Sequence, residues 1–322
     1  MKTEILDTIE VEDRFTIYRT LALENDNLAL LRGKHRLGEK PVLYVEIIGS
    51  DSMLIDVSFV RDLNTGIGNS TLFIYKNGFG VIDHDHAKFY LWADLNATPQ
   101  EVEVRQQPSN NKLELYKTYL KYVSYDEILD SFTIGIGEKH SPKFYAKWYA
   151  DITMENANGS KQLVTFWDTP ILLKREDYPP TYFHDRDPAR EWLNINDLIS
   201  LNGKKYIICR GGQHTIGKRG VAFEFNILSV YDSNNKLLEK LELENGYGRF
   251  SSNKQYYIIR PITKKRLLVY DLESLELKHN IPLKTESNMG SIPTNYSVSG
   301  DLNNNLLYIK HLGVLNICKI LK

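Results

Sequence analysis

Cysteine is nearly missing from this chain: Cys209 and Cys318 are the only two in 322 residues. Both lie inside β-like runs, YIICR and LNICKI, so buried free thiols are expected and no disulfide framework can be read. No apolar run approaches the roughly 20 residues that cross a bilayer as a helix. The N-terminus, MKTEILDTIEVEDRF, carries Glu4, Asp7, Glu10, Glu12 and Asp13 and no basic stretch followed by an apolar one. It does not read as a signal peptide, and a cytoplasmic location is expected. The N-x-[ST] triplets at Asn69, Asn96, Asn158 and Asn295 then carry no weight. Charge of one sign is also lacking. With a net charge of −1, no overall field recruits nucleic acid or membrane, and neither is expected as a partner. Long helical periodicity is missing as well; the best helical stretches are short, near residues 113–129 and 188–198. No G-x-S-x-G elbow, H-E-x-x-H helix or cysteine nucleophile signature occurs.

Tyrosine, by contrast, is abundant at 20 residues. Short β-branched and aromatic runs such as LFIY, KFYLW, KKYIIC, VAFEF, QYYII, RLLVY and LLYIK recur between polar turns, the pattern of many short strands. These runs repeat. HAKFYLWAD from His86 returns as HSPKFYAKWYAD from His140, with Phe89-Tyr90 lying 55 residues before Phe144-Tyr145. VYDSNNKLLEKLEL from Val230 returns 39 residues later as VYDLESLELKHNIPL from Val269. Self-similarity at roughly 40–55 residues with about four strands per unit points to propeller blades. The two VYD stretches, with FSSNKQYYII ahead of the second, resemble the strand–turn–strand ending of a blade in the WD40-like β-propeller superfamily. Tyr231-Asp232 and Tyr270-Asp271 stand where that superfamily has Trp-Asp, and its Gly-His signature is missing.

Third strands are read at residues 41–48, 88–95, 143–152, 221–232, 265–272 and 313–320. That gives an all-β, six-bladed propeller in one domain spanning 1–322, with a seventh blade as the alternative because LVTFWDTPILL (163–173) could supply strands. A Pro-rich insertion, KREDYPPTYFHDRDPAREW, is read at about 174–192. The chain ends on a third strand, so TEILDTIEVE is expected to supply the missing fourth strand and to cover the exposed edge.

Up-and-down connectivity sends every turn between second and third strands to one face. The windows are Gly33–Lys40, Asp83–Lys88, Glu138–Lys143, Arg210–Arg219, Arg260–Arg266 and Lys310–Gly313. Their 41 residues hold six of the eight histidines, 14 of 40 Lys/Arg and 4 of 41 Asp/Glu. The turns between third and fourth strands, such as DLNAT, DSNNK and DLESLE, are acidic and Asn/Ser-rich. A basic, His-rich binding face is expected. Its candidate residues are Lys34, His35 and Arg36; His84, Asp85 and His86; Lys139 and His140; His214, Lys218 and Arg219; Lys264, Lys265 and Arg266; and Lys310 and His311. His184 and Arg186 join them if the insertion lies above the same face.

Three chemistries compete there. His84 and His86, spaced i, i+2, would project to one side of a continuing strand, and imidazole suits transition metals. A site needs a third ligand such as His140, His184 or His214, so no metal or other cofactor is assigned. Gly212 to Lys218 fits G-x-x-x-x-G-K. However, Arg219 replaces the magnesium-binding hydroxyl and GVAFEFNI continues as a strand, not a helix, so the match is accidental. In the insertion, His184, Asp185 and Arg186 suggest base, orienter and anion clamp, while Asp187-Pro188 reads as a helix start. The reading that needs no missing parts is a non-catalytic, monomeric cytosolic binding module. Its basic face would engage an acidic protein, as an adaptor or an immunity-type inhibitor does. The alternative is a metal-dependent lyase or hydrolase on an anionic saccharide, an analogy at the level of fold.

Overall fold

In the computed structural model, the described residues are 2–10, 15–24, 26–34, 42–49, 52–60, 71–84, 86, 88–106, 118–138, 148–157, 160–165, 171–172, 191–214, 221–262, 264, 266–282, 296–301, 306–311 and 314–321. All regular structure among them is β. Strand β1 (Lys2–Glu10) is followed by the antiparallel meander β2 (Thr16–Ala22), β3 (Leu28–Lys34), β4 (Val42–Ile48) and β5 (Met53–Asp56). Next come β6 (Leu72–Tyr75), β7 (Gly78–Asp83), β8 (Lys88–Trp92) and β9 (Gln100–Gln106), then β10 (Thr118–Asp126), β11 (Ser131–Glu138), β12 (Trp148–Ala157), β13 (Ser160–Thr165) and the two-residue β14 (Ile171–Leu172). The remainder is β15 (Glu191–Leu201), β16 (Lys204–His214), β17 (Val221–Tyr231) and β18 (Leu237–Leu243); β19 (Gly246–Phe250), β20 (Tyr256–Pro261), β21 (Arg266–Asp271) and β22 (Leu277–Pro282); and β23 (Tyr296–Asp301), β24 (Leu306–His311) and β25 (Val314–Leu321).

Successive four-stranded antiparallel meanders, the last completed by the N-terminal strand, are the topology of a β-propeller. The expected strap is present: β1 pairs antiparallel with β25 from Lys2↔Leu321 to Glu10↔Val314. The blade count differs from expectation. There are five sheets, four of four strands and one of nine, instead of six or seven separate blades. The cause is a parallel pairing of two fourth strands, β9 with β13, in register from Glu103↔Gln162 to Gln106↔Thr165. It fuses the meanders β6–β9 and β10–β13, and β13 and β14 within that sheet take residues 163–165 and 171–172 of the stretch that suggested a seventh blade.

The two helical stretches are corrected too. Thr118–Asp126 and Glu191–Leu201 are the first strands of their meanders, and no helix occurs among the described residues. In TYLKYVSYD, the side chains of Tyr122 to Asp126 are all buried, which a strand covered on both faces achieves and an amphipathic surface helix does not. The insertion read at 174–192 falls outside the described residues up to position 190, and Glu191 and Trp192 open β15. No helix among the described residues is long and apolar enough to cross a membrane.

Burial follows strand position. The second strands β7 and β20 are buried at all six positions, whereas the fourth strands β18 and β22 are mostly exposed. Turn chemistry is equally local. Asn202-Gly203 joins β15 to β16 with φ of 52° and 75°, the two positive values that a two-residue hairpin turn demands. The chain divides into two compact units. One comprises Met1–Val81, Trp92–Thr98 and Gly246–Lys322, and the other Ile82–Leu91 and Pro99–Asn245. In the first, Ile258, Leu267, Val269 and Ile281 pack with Leu307, Ile309, Cys318 and Ile320, while Ile17, Leu28 and Leu30 pack with Tyr308 and Leu315. Each such side chain contributes about 1.5–3 kcal/mol by leaving water. Cys209 and Cys318 are buried free thiols, and burial raises the Cys318 thiol above its usual range. In the second unit Phe132 packs between Phe89 and Tyr125, with ring centroids 5.2 and 5.0 Å away.

Candidate functional site: the tips between second and third strands

Each window read from the sequence falls on, or overlaps, a connection between a second and a third strand: β3–β4, β7–β8, β11–β12, β16–β17, β20–β21 and β24–β25. Every window opens within its second strand, and two of them open on a buried arginine: Arg210 lies within β16 and Arg260 within β20, so neither is a tip cation. Of the candidate residues, Lys34, His84, His86, Lys264 and Arg266 are described in full. His214, Lys310 and His311 are placed by backbone at strand ends. His35, Arg36, Asp85, Lys139, His140, His184, Arg186, Lys218, Arg219 and Lys265 lie outside the described residues.

The β7–β8 tip separates the two histidines that looked paired. Strand β7 ends at Asp83, so His84 and His86 sit in a turn and do not share a strand face. His84 is 1% exposed. Its Nδ1–H donates to the Leu120 carbonyl at 2.6 Å, while the Leu120 N–H donates to the His84 carbonyl at 3.3 Å. His84 thus anchors the start of β10 as a hydrogen-bonded core histidine. His86 is half-exposed and turns back onto Asp83: its backbone N–H donates to Oδ1 at 3.4 Å and its Nδ1 lies 2.9 Å from Oδ2. Among the described residues, no three His, Cys, Asp or Glu side chains come together as a metal site would require.

The charge around this tip is mixed. Lys88 donates to Glu101 at 2.5 Å, and that bond holds its ammonium above the usual lysine range. Burial, with Glu101 and Asp83 nearby, pushes the Tyr90 phenol up to about 12. Glu101 and Glu103 come from β9, whose alternating Glu residues face the third strand across the pair Lys88↔Glu103. Carboxylates on the neighbouring strand offset cations that the window alone suggested.

Lys34, the last residue of β3, holds its ammonium 5.2 Å from the centre of the Phe15 ring, and Arg32 stacks its guanidinium at the same distance. Cations over an aromatic face gain about 0.5–1 kcal/mol at exposed sites. Arg32 also pairs with Glu46 at 3.0 Å, and Tyr44 lies beside Phe15, with ring centroids 6.2 Å apart. Reading the sequence for polar windows missed Phe15, because it precedes β2 and meets Lys34 only through the β2–β3 pairing. At the β20–β21 tip Lys264 and Ile262 are exposed, and the Arg266 N–H donates to the Lys264 carbonyl at 2.9 Å.

No protein-family model matches this chain, and no curated protein sequence matches it. Similarity to solved structures covers nearly the whole chain at very low identity. The β-propeller domain of Myceliophteria thermophila Cps50 (Swd1) is 11% identical with a TM-score of 0.44, over 99% of this chain and 100% of that one. Kuenenia stuttgartiensis hydrazine synthase is 9% identical with a TM-score of 0.49, over 96% and 97%. Myxococcus xanthus glutaminyl cyclase is 6% identical with a TM-score of 0.40, over 99% and 97%. The propeller assignment rests on the strand order and the β1–β25 strap: this chain resembles the β-propeller superfamily and is tied to no particular family within it.

Proposed function

We propose that this chain is a non-catalytic binding module that engages an acidic protein surface through the tips between its second and third strands. Adaptors and immunity-type inhibitors work in this way. The observation that carries the reading is the β20–β21 tip. Residues 262–266, ITKKR, contain three basic residues and no acidic one, and Lys264 stands exposed. Lys34 adds a cation at the β3–β4 tip, held over Phe15. With a net charge of −1, the attraction must be local to such tips. Exposed cations act over about 8–10 Å at ordinary ionic strength, which speeds encounter more than it deepens affinity.

The test is charge reversal at this tip. The immobilised wild-type chain is expected to capture an acidic protein from a lysate of its native cells, and to lose it as salt is raised. The K264E/K265E/R266E variant is expected to lose that capture with its melting temperature unchanged. Undiminished capture by the variant would move the interface elsewhere.

A further inference from the structure

At the opposite end of the β2–β5 sheet from Lys34, within the first compact unit, lies an open cleft of about 450 Å³. Its floor is apolar: Leu28, Ile48, Leu306, Tyr308 and Ile317 line it. Leu28 and Tyr308 belong to a buried core cluster, and Ile48, Leu306 and Ile317 pack against that cluster while remaining only partly buried. One wall is fixed by two turns held against each other. The Leu23 N–H donates to the Asn27 carbonyl at 2.8 Å and the Asn27 N–H to the Glu24 carbonyl at 3.3 Å, closing the β2–β3 turn. Gly49, at φ +144°, packs so close that a Cβ there would stand 2.4 Å from Asn27 Oδ1. The cleft is therefore a built feature of the sheet end, and a side chain at position 49 would distort it.

Among the described residues the mouth carries one sign of charge: Glu24 and Asp26 are both exposed on the lining, and no described lysine, arginine or histidine joins them. An apolar floor beneath two carboxylates complements a ligand with an apolar body and a cationic head, and a volume of about 300–1,000 Å³ is ordinary for small-molecule sites. A neutral apolar ligand would leave the carboxylates unused, and an anion would be repelled.

We propose that this cleft binds an organic ammonium ion, its alkyl or aryl body on Ile48, Leu306 and Ile317 and its head between Glu24 and Asp26. The site is independent of the basic tips and stands or falls apart from them.

The probe is n-hexylammonium, titrated into the full chain carrying ¹³C-labelled isoleucine δ1 methyls. Ile48 and Ile317 report from the cleft, assigned by I48V and I317V, and Ile258, fully buried in the core, serves as the silent control. Saturable shifts of Ile48 and Ile317 are expected, with Ile258 unmoved. n-Hexanoate, of the same chain length but opposite charge, is expected to shift neither. In the E24Q/D26N variant the dissociation constant should rise at least fivefold. Asn tolerates the positive φ of 57° that Asp26 adopts, so this variant is expected to keep the wild-type methyl spectrum. The proposal is overturned if Ile48 and Ile317 do not move, if their shifts fail to saturate, if hexanoate shifts them equally, or if a natively folded E24Q/D26N variant binds hexylammonium as tightly as the wild type.

Discussion

Asp126 uses both carboxylate oxygens, and each joins a different part of the second unit. Oδ1 accepts the N–H groups of Ile128 and Leu129 and so shapes the β10–β11 turn. Oδ2 accepts the Ser200 hydroxyl at 3.1 Å and the Gly203 N–H at 2.9 Å, tying that turn to the β15–β16 hairpin. Beside it Ser124 Oγ accepts the Ser200 N–H at 2.8 Å. At 1% exposure the carboxylate has little water to fall back on, and its removal strands the donors. Asp126→Ala is therefore expected to cost about 3 kcal/mol, seen as a lower urea midpoint with an unchanged slope. A loss below about 1 kcal/mol would mean that the two hairpins are held together by packing alone. The sequence shows only its turn-capping role and does not reveal the tie between hairpins, because the partners of Oδ2 lie 74 and 77 residues away. Asp232 and Asp271 are the opposite case. Each follows a tyrosine in the 39-residue repeat, and each caps the turn just after it: Asp232 Oδ1 accepts Asn234 and Lys236, and Asp271 Oδ1 accepts Glu273 and Ser274. Turns of this kind are local, and local chemistry is what a sequence displays. His84 lies between these extremes. Its place in a turn was legible, but its burial against Leu120 was not, and burial is what turned a candidate ligand into a core residue.

Strands show the same division between local and distant causes. Four of the six third strands coincide within one residue with β4, β17, β21 and β25, and a fifth opens with β8 at Lys88 but runs past its end at Trp92, because a half-buried strand alternates visibly and ends at polar turns. The repeat extends to a detail of pairing. Bulges fall at Val230/Tyr231 and at Val269/Tyr270, the same step of the two VYD stretches. What stayed hidden was edge-to-edge pairing. Nothing within QEVEVRQ (100–106) or SKQLVT (160–165) marks them as partners, and their parallel contact is what reduces the number of separate sheets. The strap was legible only by elimination, from a chain that ends on a third strand. It also carries a prediction. β1 covers the outer edge of β25 through eight paired positions, and Thr8 Oγ1 donates to Asn316 Oδ1 at 2.9 Å. Deleting residues 2–10 should expose that edge, cost about 3 kcal/mol and lower the melting temperature by about 6 °C or more. A synthetic KTEILDTIE peptide added in trans should restore part of the loss. An unchanged melting temperature would show the strap to be dispensable.

At the scale of the whole molecule a net charge of −1 leaves little general repulsion for pH or salt to act on, so pH dependence must come from particular groups. Three of them sit on the β21–β22 hairpin. The Lys278 ammonium donates to the Tyr256 hydroxyl at 2.9 Å and to Asp271 at 3.3 Å, and these bonds, the tyrosine first, raise it above its ordinary 10.5. Burial alone would raise the Asp271 carboxyl, but the Ser274 and Glu273 N–H groups and Lys278 outweigh it and bring it below 3.8. His279, next along β22, is pushed below its ordinary 6.5 by burial and then by the Lys278 charge. The signs follow from which state holds the proton more readily. For His279 and Asp271 that state is the unfolded chain, so stability is full above 6.5 and 3.8 respectively and is lost as pH falls below each. For Lys278 it is the folded chain, so stability is full below 10.5 and is lost as pH rises through the raised value. From this hairpin, then, stability should be flat between pH 6.5 and 10.5 and should fall on both sides. His279→Gln isolates the first step. Its melting temperature should no longer decline just below pH 6.5, while the acid loss below 3.8 persists because Asp271 is intact. A decline below pH 6.5 that survives in His279→Gln would assign it to another histidine and remove His279 from the acid response.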